Sequence, residues 1–172
     1  MAAPCRLVVV VIACCLGACS FKGSPQASTP HAGASPNVAR RAIVVDDQTI
    51  GSSVDRFSYK GKWERIRARN DGRYAGTSTR CYAPGGSFSI FFFGRRFELH
   101  GVVGPNGGPA TLVLDGKIYQ ITFRSQRKRF AMVFLSPTLS EGPHSIVGVV
   151  GVKDKNVAPN GYVNIDYARI QV

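Results

Sequence analysis

The chain is poor in the groups that most enzyme chemistry needs. Four of its five cysteines, Cys5, Cys14, Cys15 and Cys19, crowd into the first 19 residues, and Cys81 stands alone after them. One cysteine makes neither a disulfide nor a zinc cage, and no histidine lies close by in sequence to form a nucleophile pair. Cys81 therefore reads as a small buried apolar residue. Carboxylates are scarce, 10 against 22 lysines and arginines. Glu64, Glu98 and Glu141 are scattered and suggest no acid–base pair. His100 and His144 have no partner at metal-ligand spacing. The G-x-S-x-G, H-E-x-x-H and C-x-x-C motifs and a Walker loop are all missing. Long apolar runs are missing too: Leu7 to Cys15 falls short of the roughly 20 residues that a helix needs to cross a bilayer. These absences point away from an enzyme.

What is present begins with an address. Arg6, the apolar run and the small residues before Cys19 describe a bacterial export signal. Leu16-Gly-Ala-Cys19 resembles a lipobox, the site where a bacterial lipoprotein is diacylated on cysteine and then cleaved. That resemblance implies a signal peptide over 1–18 and a lipidated Cys19 as the first mature residue. Val11-Ile-Ala-Cys14 fits the same box with a shorter apolar run before it, and an ordinary secretory signal is the plainer alternative. Each buried acyl CH₂ contributes about 0.8 kcal/mol, so two or three chains hold a protein on a membrane. Ser20 in place of an aspartate implies, by the same resemblance, delivery to the outer membrane. Residues 19–39 carry Pro25, Pro30 and Pro36 among Ser, Ala and Gly, with only Phe21 and Val38 able to pack. This stretch is expected to be a flexible linker with a reach of about 25 Å.

Residues 40–172 are the right size for one domain, and their periodicity is that of strands. Phe88, Ile90 and Phe92 alternate along one face of a strand, and Phe97 and Leu99 along the next, with Arg96, Glu98 and His100 opposite. Gly94-Arg95 between them suits a tight hairpin turn, and Asp115-Gly116 suits another between Ala110–Leu114 and Lys117–Phe123. Phe91 and Phe93, on the second face of their strand, are expected to pack in the core. Further strands are read at 42–45, 130–135, 145–152 and 162–172. No segment repeats apolar residues at helical spacing. Nine or ten short strands with Gly-rich breaks indicate an all-β fold, an antiparallel β-sandwich.

The order of the segments Phe57–Trp63, Tyr74–Thr77, Gly86–Gly94, Phe97–Gly101, Val113–Gly116, Leu139–His144 and Val163–Tyr167 resembles a galactose-binding-like jelly roll. That superfamily includes many carbohydrate-binding modules. The resemblance implies a non-catalytic glycan-binding role. In calcium-holding members an acid of the C-terminal motif meets acids of the first strand. Asp166 would take the first part and Asp46 and Asp47 the second, with a structural Ca²⁺ between them. Hydrogen bonding of Asp166 to backbone or arginine is the alternative reading.

Sugars are held by aromatic faces and a few planar polar groups. Trp63, Tyr59, Tyr74, Tyr82 and Tyr119 are the available aromatics, and Trp63 serves the core equally well. The loops 69–76, 82–86, 104–109 and 153–161 are candidate sites, and Trp63, Asn70, Asp71, Arg73, Tyr74 and Asn106 are the expected ligand contacts. Lys60, Lys62, Arg65, Arg67, Arg69, Arg73 and Arg80 make one basic cluster, and Arg124, Arg127, Lys128 and Arg129 a second. Arginine forks pair with carboxylate and phosphate, so acidic glycans of a bacterial envelope are an expected partner. Export argues against nucleic acid. The rival readings are an assembly lipoprotein that binds another envelope protein and an accessory module of a glycan-acting enzyme.

Overall fold

A computed structural model of the protein describes residues 41–68, 71–151 and 161–172. The expected signal peptide, Cys19, the linker and Asn70 lie outside the described residues. Among the described residues eleven strands follow one another: β1 Ala42–Asp46, β2 Phe57–Lys60, β3 Glu64–Arg67, β4 Thr77–Cys81, β5 Ser87–Phe93 and β6 Arg96–Val103, then β7 Pro109–Leu114, β8 Lys117–Thr122, β9 Arg129–Leu135, β10 Pro143–Val150 and β11 Val163–Gln171. One 3₁₀ turn, Tyr74–Gly76, precedes β4. Every strand pair is antiparallel. The first sheet runs β3-β4-β11-β6-β9 with β1 added to β11, and the second runs β2-β5-β10-β7-β8. The expected antiparallel sandwich is thus the fold.

The core lies between the sheets. Phe88, Ile90 and Phe92 of β5 meet Phe97 and Leu99 of β6 and Ile165 and Ile170 of β11, all essentially inaccessible to solvent. Each such side chain contributes about 2 kcal/mol of burial. Cys81 is buried in this core as a free thiol. The Asp115-Gly116 turn joins β7 to β8 with positive φ at both residues (47° and 82°), as a two-residue hairpin requires.

Two expectations are corrected. Gly94-Arg95 does not close a hairpin: β5 and β6 belong to different sheets, and the turn carries the chain across the sandwich. Arg95 N–H donates to the Gln171 carbonyl at 2.7 Å, which fixes the corner on β11. Phe91 and Phe93 are not core residues. They stand 55% and 51% exposed on the outer face of the second sheet, because only one face of β5 meets the other sheet.

The strand that positions the site is β11. Val163–Ile165 pair with β4, and Tyr167–Gln171 pair with β1. On its other edge β11 pairs with β6, with a register shift between Ile165 and Tyr167. Asp166 therefore sits in a bulge, at the point where β11 exchanges one neighbour for another. Bulges re-aim side chains and recur near functional sites.

Candidate functional site

Asp47 closes this seam. Its N–H donates to the Asp166 carbonyl at 3.0 Å, and its side chain is fully buried. A buried carboxylate needs donors, and β4 supplies them. Thr77 donates to Asp47 Oδ1 at 2.7 Å, Thr79 donates to Oδ2, and the Gln48 amide joins at Oδ2. Tyr59 donates its hydroxyl to the Asp47 carbonyl at 3.1 Å. Asp46 lies beside it; its Oδ1 accepts from Gln48 N–H at 2.7 Å, and its Oδ2 is buried with no hydrogen-bond partner among the described residues. Asp166 is 2% exposed, and its Oδ1 accepts from Tyr74 N–H at 3.0 Å. Burial pushes its carboxyl up to about 7; the Tyr74 N–H opposes that, and the negative charges of Asp47 and Asp46 add to it. Burial also raises the Asp47 carboxyl, against its three donors.

The three expected metal residues are thus neighbours. Their hard oxygens, with the orphaned Asp46 Oδ2, suit Ca²⁺ by ligand type. By spacing they do not: among the described residues, no three His, Cys, Asp or Glu side chains are grouped closely enough to hold one ion.

The Asp71–Tyr74 segment lies over this seam on the outer face of the first sheet. The Arg73 side chain, only 4% exposed, pairs with Asp71 and donates to Ser78 Oγ at 2.8 Å. Arg73 is therefore a strut for the loop, with its donors spent inside the protein. Gly72 has φ +91°, and a Cβ there would come within 2.9 Å of the Phe130 ring on β9. Only glycine lets the loop lie so close. Tyr74, 44% exposed, packs against Tyr167 of β11 with centroids 5.2 Å apart. Tyr167 in turn stacks on His100 of β6 at 4.3 Å, with the planes 7° apart. His100 bonds Glu98 at 3.1 Å. A cavity of about 200 Å³ opens beside this loop, lined by Gly72, His100, Phe130, Met132, Asp166 and Tyr167 among others. The result is a ring ladder beside a buried acid, with room next to it for a group the size of one sugar ring.

The structure brings Asp71, Arg73 and Tyr74 together with Asp166, and joins two sets of residues that the sequence reading kept apart. It places Trp63 elsewhere. Its ring packs on Tyr59 and Phe88, and its Nε1–H donates to the Lys60 carbonyl at 3.1 Å. Asn106 lies on the Gly104–Gly108 loop, where its carbonyl accepts from Tyr162 N–H at 3.0 Å. Tyr167, His100, Phe130 and Met132 were missed. Alternation placed His100 on the outer face, but the bulge hid which residues of β11 would meet it.

No protein-family model and no curated protein matches the chain. Solved structures do. A two-domain esterase active on acetylated mannans, co-crystallised with mannopentaose, matches with a TM-score of 0.50 at 10% identity over 76% of this chain. The Agl-KA catalytic domain matches with a TM-score of 0.50 at 12% identity over 76% of this chain. The chain spans only 36% and 27% of those two chains. The CBM36-1 domain of a multidomain xylanase from the hindgut metagenome of Trinervitermes trinervoides is covered over 98% of its length, and 77% of this chain, at 16% identity and a TM-score of 0.47. At these identities the likeness is one of fold, the antiparallel β-sandwich.

Proposed function

We propose that the protein is a lipid-anchored envelope protein whose sandwich binds a glycan without catalysis. The observation that carries this reading is the Tyr74–Tyr167–His100 ladder beside the Asp166 cavity. Aromatic faces take the C–H faces of a pyranose, and a buried carboxyl takes its hydroxyls. The mannan esterase crystallised with mannopentaose shares the sandwich, which adds support of the same kind. The anchor rests on Cys19 and the linker of residues 19–39; acylation would be read by mass spectrometry of the mature protein, and an unmodified thiol there would remove it. A structural Ca²⁺ at Asp46, Asp47 and Asp166 is not part of the proposal, because among the described residues these carboxylates are not grouped closely enough to hold one ion.

A glycan array probed with residues 41–172 tests the binding. Tyr74→Ala should lower affinity for a neutral hit at least fivefold with the fold intact; unchanged binding would remove the ladder from the site. A second reading, an assembly role through a protein partner, is favoured by one observation. Phe91, Phe93, Val147 and Ile118 stand exposed together on the outer face of the second sheet. A partner lost on Phe91→Ser/Phe93→Ser, with no glycan hit, would favour it.

A further inference from the structure

The loop end of the sandwich differs in chemistry from the site just described. From the end of β8 to the first residue of β9 the chain carries Arg124, Arg127, Lys128 and Arg129 in six residues. Arg127, Lys128 and Arg129 are exposed, and no ion pair among the described residues includes them. The segment is held firmly. Gly104 N–H donates to the Phe123 carbonyl at 3.0 Å, and Ser125 N–H returns to the Gly104 carbonyl at 2.9 Å. Gly107 passes so close to Phe123 that a Cβ would sit 1.8 Å from its carbonyl oxygen. Tyr162 is fastened to the same loop by its N–H on the Asn106 carbonyl and by Gly108 N–H on its own carbonyl at 2.8 Å.

These bonds bring aromatic rings to the cations. A Cβ at Gly104 would lie 2.8 Å from the Tyr162 hydroxyl and 3.6 Å from Lys128 Cα, so the phenol and the lysine flank one glycine. Tyr82 meets Tyr162 edge to face at 6.1 Å, and the Arg80 guanidinium lies 4.6 Å over the Tyr82 ring. Arg80 also holds Glu64 at 3.0 Å. An open hollow of about 360 Å³ lies between Pro105 and Arg124–Gln126. The described stretches 82–86, 104–109 and 123–129 contain no carboxylate.

We propose that this end is a second binding site, for an acidic sugar chain, separate from the ladder. The tyrosines supply a sugar-stacking face. Arg127, Lys128 and Arg129 supply donors for carboxylate or sulfate groups along the chain, as forks and point charges. A nucleic acid would meet the same cations and rings, and the duplex-DNA arm of the test separates it from the glycan. The proposal borrows its ligand class from the glycan-binding reading but stands on different residues.

The test uses residues 41–172, which hold every described strand and the whole core and so fold as a unit. Polygalacturonate and its fully methyl-esterified form present one backbone with and without charge. Polygalacturonate should bind, weaken with added salt, and exceed its ester by tenfold or more. Arg127→Gln/Lys128→Gln should cost tenfold with an unchanged melting temperature, Tyr82→Ala several-fold, and Tyr74→Ala nothing. Neutral-glycan binding lost to Tyr74→Ala would be untouched by the double variant, so either site can fail alone. The proposal is overturned by equal binding of the ester or by a double variant that binds like the parent. It is overturned equally by duplex DNA or anionic vesicles competing as well as the glycan, or by no binding of polygalacturonate, alginate or heparin at low salt.

Discussion

The seam at β11 and the loop end of the sandwich handle charge in opposite ways. At the seam three carboxylates are drawn inside, and Asp47 alone engages Thr77, Thr79 and Gln48. At the loop end Arg127, Lys128 and Arg129 stay in water, while backbone hydrogen bonds fix the loop that carries them. Buried polar groups are costly to leave unpaired, whereas exposed charges cost little to remove. Changes at the seam should therefore show as stability, and changes at the loop end as binding. The largest expected effect tests the first half. Asp47→Ala strips two hydroxyls and an amide of their acceptor in a dry site, and should cost about 3 kcal/mol by urea unfolding. A loss below about 1 kcal/mol would mean that water already serves the seam.

That asymmetry also explains what was legible in the sequence. Strand periodicity carried the sandwich, because Phe88, Ile90, Phe92, Phe97 and Leu99 alternate as a half-buried sheet must. It could not say which strands pair. Gly94-Arg95 has the look of a hairpin turn, yet only the packing of Gly94 and Arg95 on β11 decides that it crosses between sheets. The acids of the first and last strands were paired through a resemblance, and Asp47 and Asp166 do meet backbone to backbone. That Tyr74 caps Asp166 depends on a contact across 92 residues and on a one-residue bulge. No local pattern encodes either. The basic cluster of the β8–β9 segment was plain in sequence, but its meeting with Tyr82 and Tyr162 was not.

The next effect is pH-dependent. The Asp166 carboxyl lies near 7 in the fold against 3.8 in a free chain, so the folded state holds a proton that the unfolded state has lost. Stability should fall as pH rises from about 4 to about 7 and then level off. Asp47 shifts the same way and steepens the fall. Asp166→Asn should flatten most of it. Calcium sharpens the point, because the spacing of these carboxylates does not suit one ion. At pH 7.5, millimolar Ca²⁺ should leave the melting temperature where EDTA leaves it, as expected of a purely hydrogen-bonded clasp. A gain that vanishes in Asp166→Asn would instead show an ion bridging the seam.

The smallest effect comes from His144, buried as the seam's carboxyls are but with its pKa raised in favour of the cation. Its Nδ1 lies 2.7 Å from Asp115 Oδ2, and its Nε2 lies 2.9 Å from the Ser140 carbonyl. Both partners only accept, and a neutral imidazole has one N–H to give, so the ring satisfies both only as an imidazolium. Desolvation works against the charge, but the Ser140 carbonyl and Asp115 outweigh it, and the pKa rises above 6.5. A raised histidine stabilises fully below 6.5, and its contribution is lost as pH climbs through the folded value. Asp115 is 40% exposed, so solvent trims the loss to about 0.5–1 kcal/mol. The window overlaps that of Asp166, so the difference between the parent and His144→Gln at each pH, not the parent's curve alone, isolates it. His144→Gln can donate to only one of the two acceptors and should be less stable at pH 6, with the gap to the parent closing by pH 8.5. A gap that stays constant across that range would show that the ring is neutral in the fold.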